Sequence, residues 1–301
     1  MTLKIKNKNH LSGKIKVPGD KSISHRSVIL SSIATGKNKI KGFLESDDCL
    51  HTLNAFKKMG VKIIKNNTGE YMIEGAGLNG LKEPDSIINC GNSGTGMRIM
   101  TGLLAAQNFY TVLTGDFSLK SRPMDRIINP LTKMGAQIWS RKNKLAPLSI
   151  KGTQLTGINY NLPVASAQVK SSLLMAGLYA DNETRLTEPG SSRDHTEKML
   201  QSFGVSLSKN NNSIILKGDR VDQLTSSDIE VPGDISSASY FLAAGLITEN
   251  SEIIIKNTGI NSTRSGILEV LNSMKADLQI VNKKCINKEP IADLVVKSSQ
   301  L

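Results

Sequence analysis

The chain repeats one pattern of predicted secondary structure four times, at intervals of about seventy residues, and this repeat restricts the fold more than any other feature. The repeats open at Val17, Asn89, Leu162 and Val231. Each opening precedes an apolar helix rich in small residues, a strand, a more polar helix and one or two short strands. The sequence therefore predicts four units of the order β-α-β-α-β-β.

The first helix of each unit is apolar on most of its sides, as in the run ASYFLAAGLI at residues 238–247. A helix without a polar face is expected in the interior of a protein. We therefore expect these helices to form a buried bundle of parallel helices with sheets around it. They are predicted at residues 24–35, 93–107, 167–180 and 235–248.

The second helix of each unit has a polar face and should cover the outside of the fold. Three of the four stop at a glycine, namely Gly60, Gly135 and Gly204. Glycine is the residue that most readily adopts the left-handed conformation that ends a helix. These helices are predicted at residues 47–59, 124–134, 193–203 and 263–275.

Three such units are enough to close a globule with pseudo-threefold symmetry. Residues 20–232 contain three, so we predict one complete globule there, of mixed α/β (α+β) class, with buried helices and outer sheets. Residues 1–19, with a strand predicted at 3–5, and residues 233–301 are predicted to form an incomplete second globule.

Composition excludes several classes of protein. The net charge of +12 would suit a nucleic-acid binder, but the lysines are scattered and aromatic residues make up only 4% of the chain. No apolar run reaches the roughly 18 residues of a membrane span. Cys49, Cys90 and Cys285 are too widely spaced for a disulfide framework or a zinc site. We expect a cytoplasmic monomer that binds neither nucleic acid nor membrane and holds no metal or cofactor.

Residues 17–26, VPGDKSISHR, point to an anion site. A Pro-Gly turn ends a strand, Asp20 and Ser22 are good residues to begin a helix, and Lys21 and Arg26 then lie at its N-terminus. Free backbone N–H groups and the helix dipole favour an anion at this position. The pattern indicates a phosphorylated or carboxylated small molecule; a capped surface helix is the alternative.

The glycine-rich stretch 91–98, GNSGTGMR, opens the helix of the second unit. Gly94 and Gly96 allow the backbone to approach a ligand closely, although an ordinary helix start has the same pattern. Three other polar residues have plain structural interpretations: Arg98 pairing with a carboxylate, Ser166 capping its helix, and His25 as a buried structural histidine.

Five motifs in register then carry a resemblance: residues 18–26, residues 91–98, KSRPM at 120–124, VASAQ at 164–168 and SRDH at 192–195, followed by VPGDISSA at 231–238. Together they resemble the 5-enolpyruvylshikimate-3-phosphate synthase family. The resemblance implies the inverted α/β barrel of enolpyruvyl transferases. It also implies transfer of the enolpyruvyl (1-carboxyvinyl) group of phosphoenolpyruvate to the 5-hydroxyl of shikimate 3-phosphate, with release of phosphate, in the shikimate pathway to aromatic amino acids.

The resemblance also implies residue roles. Lys21 corresponds to a catalytic lysine that contacts both substrates, and Gly94 to the glycine that admits the inhibitor glyphosate in sensitive members. The residues matched to shikimate 3-phosphate are Lys21, Ser22, Arg26, Ser166, Ala167, Gln168 and Arg193. Those matched to phosphoenolpyruvate are Lys21, Asn92, Gly94, Arg122 and Gln168.

The acid–base carboxylates of the family are matched by nothing in this sequence, and neither Asp234 nor Asp293 occupies such a position. We expect them beyond residue 301, in two further units, and expect residues 1–301 alone to be inactive. Two alternatives stay open: a non-catalytic anion-binding remnant, and a UDP-N-acetylglucosamine enolpyruvyl transferase. The second is disfavoured because the loop 115–123 lacks the reactive cysteine of that class.

Overall fold

The computed structural model describes residues 8–218, 221 and 223–300, which divide into two compact units. The large unit comprises the described residues of 21–229, and the small unit comprises residues 8–20 and 230–300. The strand predicted at residues 3–5 lies outside the described residues. Within these ranges, no helix combines the length and apolar character that crossing a bilayer requires.

The small unit begins with one strand before residue 21 and continues after residue 229. Its elements are β1 (Ser12–Ile15), α8 (Ile235–Ile247), β14 (Glu252–Gly259), α9 (Gly266–Ser273), β15 (Leu278–Ile286) and β16 (Glu289–Lys297).

The large unit is built from three repeats. The first has α1 (Lys21–Ile33), β2 (Thr35–Lys41), α2 (Asp47–Lys58), β3 (Lys62–Lys65) and β4 (Tyr71–Ala76). The second has β5 (Ile88–Asn89), α3 (Gly94–Leu104), β6 (Tyr110–Thr114), a short helix α4 (Phe117–Lys120), α5 (Asp125–Lys133), β7 (Gln137–Arg141) and β8 (Leu145–Lys151). The third has β9 (Asn159–Asn161), α6 (Ala167–Gly177), β10 (Glu183–Thr187), α7 (His195–Ser202), β11 (Leu207–Asn210) and β12 (Ser213–Lys217), and β13 (Ile229–Glu230) closes the unit.

Each repeat contributes a four-stranded sheet of the same topology. The sheets run β5-β6-β8-β7 and β9-β10-β12-β11, with the opening strand parallel to its neighbour and the rest antiparallel. The first repeat obtains its opening strand from the end of the unit, in the order β13-β2-β4-β3. In the small unit β1 pairs in parallel with β14 in the order β1-β14-β16-β15. The chain thus supplies the opening strands of its first and fourth repeats from distant segments.

Helices α1, α3 and α6 lie inside the large unit, and α2, α5 and α7 cover them. From Ile23 to Ile33 every residue of α1 is buried, including four serines and one histidine. Small and polar side chains let helices approach closely provided that their hydroxyls find partners, as Ser27 and Ser32 do on carbonyls one turn earlier. The serine-rich surface of α1 can therefore pack closely inside the unit.

The fourth apolar helix, α8, is only half buried, so the prediction that it is buried on most sides is wrong. Ala238, Leu242 and Leu246 pack on the sheet of β14 and β16. On the opposite face Tyr240 is 78% exposed and Ile247 is 75% exposed. The reason is that, in the part of the chain that the structure describes, no second inner helix packs against α8.

The two VPGD segments pair with each other in the small unit. Asp20 N donates to Pro232 O at 2.8 Å and Asp234 N donates to Pro18 O at 2.9 Å. Arg264 Nη2 donates to Asp234 Oδ1 at 3.0 Å and lies 3.7 Å from Asp20 Oδ2. The places where the chain leaves and re-enters the small unit are therefore neighbours, and one partly buried guanidinium bridges their carboxylates.

All four outer helices end at a residue in the left-handed conformation. Gly60, Gly135 and Gly204 have φ of 85°, 95° and 86°, and in the fourth repeat Lys275 adopts φ of 60°. A side chain makes this conformation unfavourable by about 1 kcal/mol. We expect Lys275→Gly to raise the free energy of unfolding by about that amount in urea denaturation, with Gly204→Ala as the reciprocal variant. A Lys275→Gly protein that unfolds at the same or a lower urea concentration than the wild type would contradict this.

A buried carboxylate stabilises two β-bulges in the small unit. The pairing of β14 with β16 shifts at Lys256 and Asn257, and that of β15 with β16 shifts at Asn282 and Lys283. Asp293 lies opposite both bulges and accepts from Lys256 Nζ at 2.7 Å, Asn282 Nδ2 at 2.7 Å and Asn257 N at 2.9 Å. Burial raises the pKa of Asp293, but these donors outweigh burial and hold the pKa at about 2.

This carboxylate makes the small unit sensitive to acid. Because the folded pKa of Asp293 is about 2 and an unfolded aspartate titrates near 3.9, its stabilisation is complete above about pH 4 and is lost as the pH falls toward 2. We expect Asp293→Asn to lower the free energy of unfolding at pH 7 by about 2 kcal/mol and to flatten its fall between pH 4 and 2. Glu249→Gln, at an exposed carboxylate, is the control; an equal pH slope in wild type and Asp293→Asn would refute the assignment.

Candidate active site

The side chain of Gln168 lies at the start of α6 and is held from both sides. Ser166 caps the helix, its Oγ accepting from Val169 N at 3.4 Å. Arg98 Nη1 donates to Gln168 Oε1 at 2.8 Å, and Gln168 Nε2 donates to Thr95 Oγ1 at 2.9 Å. The glycine-rich loop and the VASAQ segment, 70 residues apart in sequence, are thus in direct contact.

Arg122 is positioned by Asn92 and the short helix α4. Arg122 donates through Nη2 to Asn92 Oδ1 and to Ser118 Oγ, the second at 3.0 Å. Asn92 Nδ2 donates to Asp116 Oδ2 at 2.7 Å, and Asp116 also caps α4 by accepting from Leu119 N at 2.7 Å. The Leu119 N–H, the Asn92 amide and the Arg122 charge together lower the pKa of Asp116.

Both guanidiniums flank Gly94. A Cβ built on Gly94 would lie 2.8 Å from Arg98 Nη1 and 3.4 Å from Arg122 Nη1. Burial, and then repulsion by Arg122 and Arg126, lower the pKa of Arg98. The sequence interpretation that Arg98 pairs with a carboxylate is wrong, because its hydrogen bonds go to Gln168 Oε1 and Pro123 O. Positive charge is concentrated at this turn, which is the electrostatic requirement of an anion site.

Arg26 joins three helices. It donates through Nε to Thr196 Oγ1 at 2.6 Å, through Nη2 to Ser171 Oγ at 2.7 Å and through Nη1 to Ser22 O at 2.9 Å. The hydroxyls of Ser171 and Thr196 are 2.6 Å apart. Since Arg26 is only 4% exposed, this network fixes the guanidinium and connects the first turns of α1, α6 and α7.

The remaining predicted residues lie at the same end of the helices. Lys21 opens α1, has a half-exposed side chain and forms an ion pair with Asp48 of α2. Ala167 opens α6, and its carbonyl accepts from Ser171 Oγ. Arg193 is exposed in the turn before α7, three residues ahead of the threonine that contacts Arg26.

His25 and Cys90 have the structural roles that their residue types indicate. His25 is fully buried, its Nδ1 lying 2.8 Å from Thr52 Oγ1 and its Nε2 lying 3.3 Å from Ser93 Oγ. It therefore connects α1 and α2 to the cap of α3. Burial raises the pKa of the Cys90 thiol to about 12, which keeps it protonated and unreactive at neutral pH.

Sequence reasoning missed a buried charge cluster beside the site. Lys170 Nζ, on the inner helix α6, lies 2.6 Å from Glu188 Oε2 and 2.8 Å from Glu197 Oε1. Lys170 is 1% exposed, and Ser192 Oγ donates to Glu188 Oε1 at 2.5 Å. The cluster attaches the turn carrying residues 188–194 to α6. A charged residue in an otherwise apolar helix was the signal that could have revealed it.

Comparison with known proteins identifies the family. The family model described as EPSP synthase (3-phosphoshikimate 1-carboxyvinyltransferase) matches residues 5–301. The chain belongs to the EPSP synthase family. This confirms the family resemblance inferred from the sequence.

Individual relatives give the same result. A 3-phosphoshikimate 1-carboxyvinyltransferase of Magnetococcus marinus is 51% identical over 293 residues, which are 97% of this chain and 65% of the relative. One of Petrotoga mobilis is 48% identical over 303 residues, covering 100% of this chain and 70% of the relative. The solved structure of EPSP synthase from Acinetobacter baumannii superimposes with a TM-score of 0.91 at 49% identity, over 96% of this chain and 66% of that chain.

These comparisons confirm the predicted mixed α/β fold of the EPSP synthase family. The chain spans about two thirds of the length of the relatives that it matches.

Proposed function

We propose that the large unit binds shikimate 3-phosphate and phosphoenolpyruvate, and that the protein serves the transfer of the 1-carboxyvinyl group between them. The observation that carries the proposal is a pair of hydrogen-bonded groups at the helix N-termini, Asn92–Arg122 and Arg98–Gln168–Thr95. They bring three of the matched positions, from two different repeats, around Gly94: Asn92, Arg122 and Gln168.

The chemistry requires such an arrangement. The two substrates together carry two phosphates and carboxylates, which repel one another by several kcal/mol at low effective dielectric. Fixed guanidiniums offset this repulsion with two-point hydrogen bonds to phosphate, and helix N-termini add backbone donors. In the reaction the methylene carbon of phosphoenolpyruvate is protonated to a methyl group, and the 5-hydroxyl oxygen of shikimate 3-phosphate adds to the adjacent carbon and loses its proton. The tetrahedral intermediate then loses one proton from the methyl group together with phosphate, which forms the carbon–carbon double bond of the product.

The matched residues divide between the two ligands by helix. We assign shikimate 3-phosphate to Ser22 and Arg26 of α1, to the first turn of α6 and to Arg193, and phosphoenolpyruvate to the loop around Gly94 and to Arg122. Lys21 and Gln168 are assigned to both. The half-exposed side chain of Lys21 and the exposure of Arg193 support these assignments, since both residues are accessible from solvent.

The direct test is calorimetric titration of the chain with shikimate 3-phosphate, using shikimate as the matched ligand without phosphate. We expect binding of the first and at least tenfold weaker binding of the second, because a charge-assisted phosphate contact contributes about 1.5–3 kcal/mol. Equal affinity for both ligands would reject the phosphate site.

Arg122 is the clearer variant for the second ligand, because Arg26 has a structural role as well. With shikimate 3-phosphate saturating, Arg122→Ala should weaken phosphoenolpyruvate binding by about ten- to a hundredfold. Lys209→Ala, which removes an exposed cation from β11 of the same unit, is the control and should change nothing. Equal losses in the two variants would show that the effect is one of overall charge.

The proposal includes the cytoplasm as compartment and a monomer as the working state. The compartment is supported by the three cysteines, all of which are free thiols, two of them buried. The expectation that residues 1–301 alone do not turn over stays a prediction, and a phosphate-release assay with both substrates checks it.

A further inference from the structure

We propose that Glu188 and Ser192 are positioning residues for Arg193. The buried carboxylate of Glu188, held by Lys170 of α6, fixes through Ser192 the turn of residues 189–192 that precedes Arg193. This inference rests on the proposed function, which assigns Arg193 to shikimate 3-phosphate. Neither Glu188 nor Ser192 needs to contact the ligand for this task.

The two oxygens of the Glu188 carboxylate have different partners. Oε2 lies 2.6 Å from Lys170 Nζ, and Oε1 accepts from Ser192 Oγ at 2.5 Å. The side chain of Glu188 is 6% exposed, and its backbone N–H donates to Asn212 O at 3.0 Å. Glu188 is therefore fixed by its main chain and by a buried cation, and Ser192 is bound to a group that cannot easily move.

Packing does little to hold the turn itself. Residues 188–194 belong to no helix or strand, and Pro189, Ser191 and Arg193 are exposed. A Cβ built on Gly190 would have no heavy atom within 4 Å beyond its chain neighbours. A segment with so few packing contacts depends on hydrogen bonds for its position, and the bond to Glu188 is made by the residue directly before Arg193.

Lys170 relates this turn to the rest of the site. It follows Gln168 by two residues on α6, the helix whose first turn is assigned to the same ligand. Its neighbour Ser171 accepts from Arg26 Nη2 at 2.7 Å, which fixes a further residue assigned to that ligand. One turn of α6 thus determines the positions of Arg26, from the first repeat, and of the segment that carries Arg193.

The buried charge pair has an explanation in this task. The desolvation of two charges offsets much of their attraction, and well-packed apolar residues of similar volume are often as stable. A carboxylate has two acceptor oxygens, so it can hold an ammonium on one side and a hydroxyl on the other, which no apolar side chain can do. The placement of the turn therefore accounts for a glutamate at position 188.

The first experiment needs no ligand. In a chain labelled with 15N-arginine, nuclear magnetic resonance relaxation gives the order parameter of the Arg193 backbone N–H, whose signal is identified by its loss in Arg193→Lys. We expect Ser192→Ala to lower this order parameter from about 0.85 to about 0.6 or less, the range of a flexible backbone. Ser191→Ala, at the exposed serine beside it, is the control and should leave it unchanged. An equal order parameter in the wild type and Ser192→Ala would overturn the inference.

The second experiment is a double-mutant cycle measured by calorimetric titration with shikimate 3-phosphate. We expect Arg193→Ala to weaken binding by about tenfold or more, because it removes a charge-assisted contact. Ser192→Ala should weaken it about fivefold, because binding must then order the turn. In the Arg193→Ala background, Ser192→Ala should add less than about twofold, since it acts through Arg193.

The cycle separates positioning from a direct or a general structural role. A fivefold effect of Ser192→Ala in both backgrounds would mean that the hydroxyl meets the ligand or supports the whole unit, and the inference fails. Ser192→Thr, which retains the hydroxyl, should bind within about twofold of the wild type, and a loss equal to that of Ser192→Ala would count against the hydrogen bond. If the wild type does not bind shikimate 3-phosphate, the proposed function fails, while the order parameter still decides whether Arg193 is held through Ser192.

Discussion

Replacing Lys170 by methionine is expected to lower the free energy of unfolding by roughly 3–5 kcal/mol, because it leaves two glutamates in the interior without their cation. Lys170 is 1% exposed, and its ammonium lies within 2.8 Å of a carboxylate oxygen of Glu188 and of Glu197. Glu197 Oε2 is already a buried oxygen without a hydrogen-bond partner in the described structure. The cluster therefore lacks one hydrogen-bond donor even when Lys170 is present.

Urea denaturation followed by circular dichroism measures the loss, and the chain offers a matched control. Lys198→Met removes the same group from a partly exposed pair with Asp194 on α7, where the cost should stay below about 1 kcal/mol. The triple variant Lys170→Met, Glu188→Gln, Glu197→Gln should recover part of the stability, since it removes the buried charges. Equal losses for Lys170→Met and Lys198→Met would show that the buried cluster contributes no more than a surface pair.

Replacing Gly152 by alanine should cost about 3 kcal/mol or more, because there is no room for a methyl group. Its Cβ would lie 1.3 Å from Gln107 O, at the end of the inner helix α3. The same close approach recurs in the other two repeats, where a Cβ on Gly75 would lie 2.1 Å from Ala34 O and one on Gly218 would lie 2.4 Å from Ala180 O.

A glycine in open space separates the effect of crowding from the effect of replacing glycine as such. Gly190→Ala is the control: nothing lies within 4 Å of its Cβ, and the substitution should change the melting temperature by no more than a few degrees. If Gly152→Ala had the same melting temperature as Gly190→Ala, the close contact between the end of β8 and the end of α3 would be disproved.

Local sequence signals predicted the elements of this fold well. The glycines after α2, α5 and α7 marked helix ends, and the apolar runs marked the inner helices, because both depend on single residues or on one helical face. Helix α4 escaped prediction since four residues leave no periodicity to detect. The exposure of Tyr240 on α8 was also missed, because a hydrophobic pattern shows that a face needs a partner but not whether one is present.

The site could be predicted only as a set of residue types. The motifs placed Arg122, Gln168 and Arg26 at helix starts, but which donor meets which acceptor depends on contacts between repeats. That Gln168 is held by Arg98, and Arg26 by Thr196, follows from tertiary packing alone. The buried partners of Lys170 come from a strand end and an outer helix, and no spacing rule relates them to α6.

The paired VPGD turns have a consequence for how this protein can be taken apart. Since the polypeptide leaves the small unit at Asp20 and returns beside it at Pro232, residues 21–229 form an insertion whose entry and exit points are hydrogen-bonded to each other. Insertions of this geometry tolerate excision and circular permutation, because a few residues suffice to bridge the gap that they leave. The paired turns are therefore the place at which to excise the large unit, with a short linker closing the gap in the small unit.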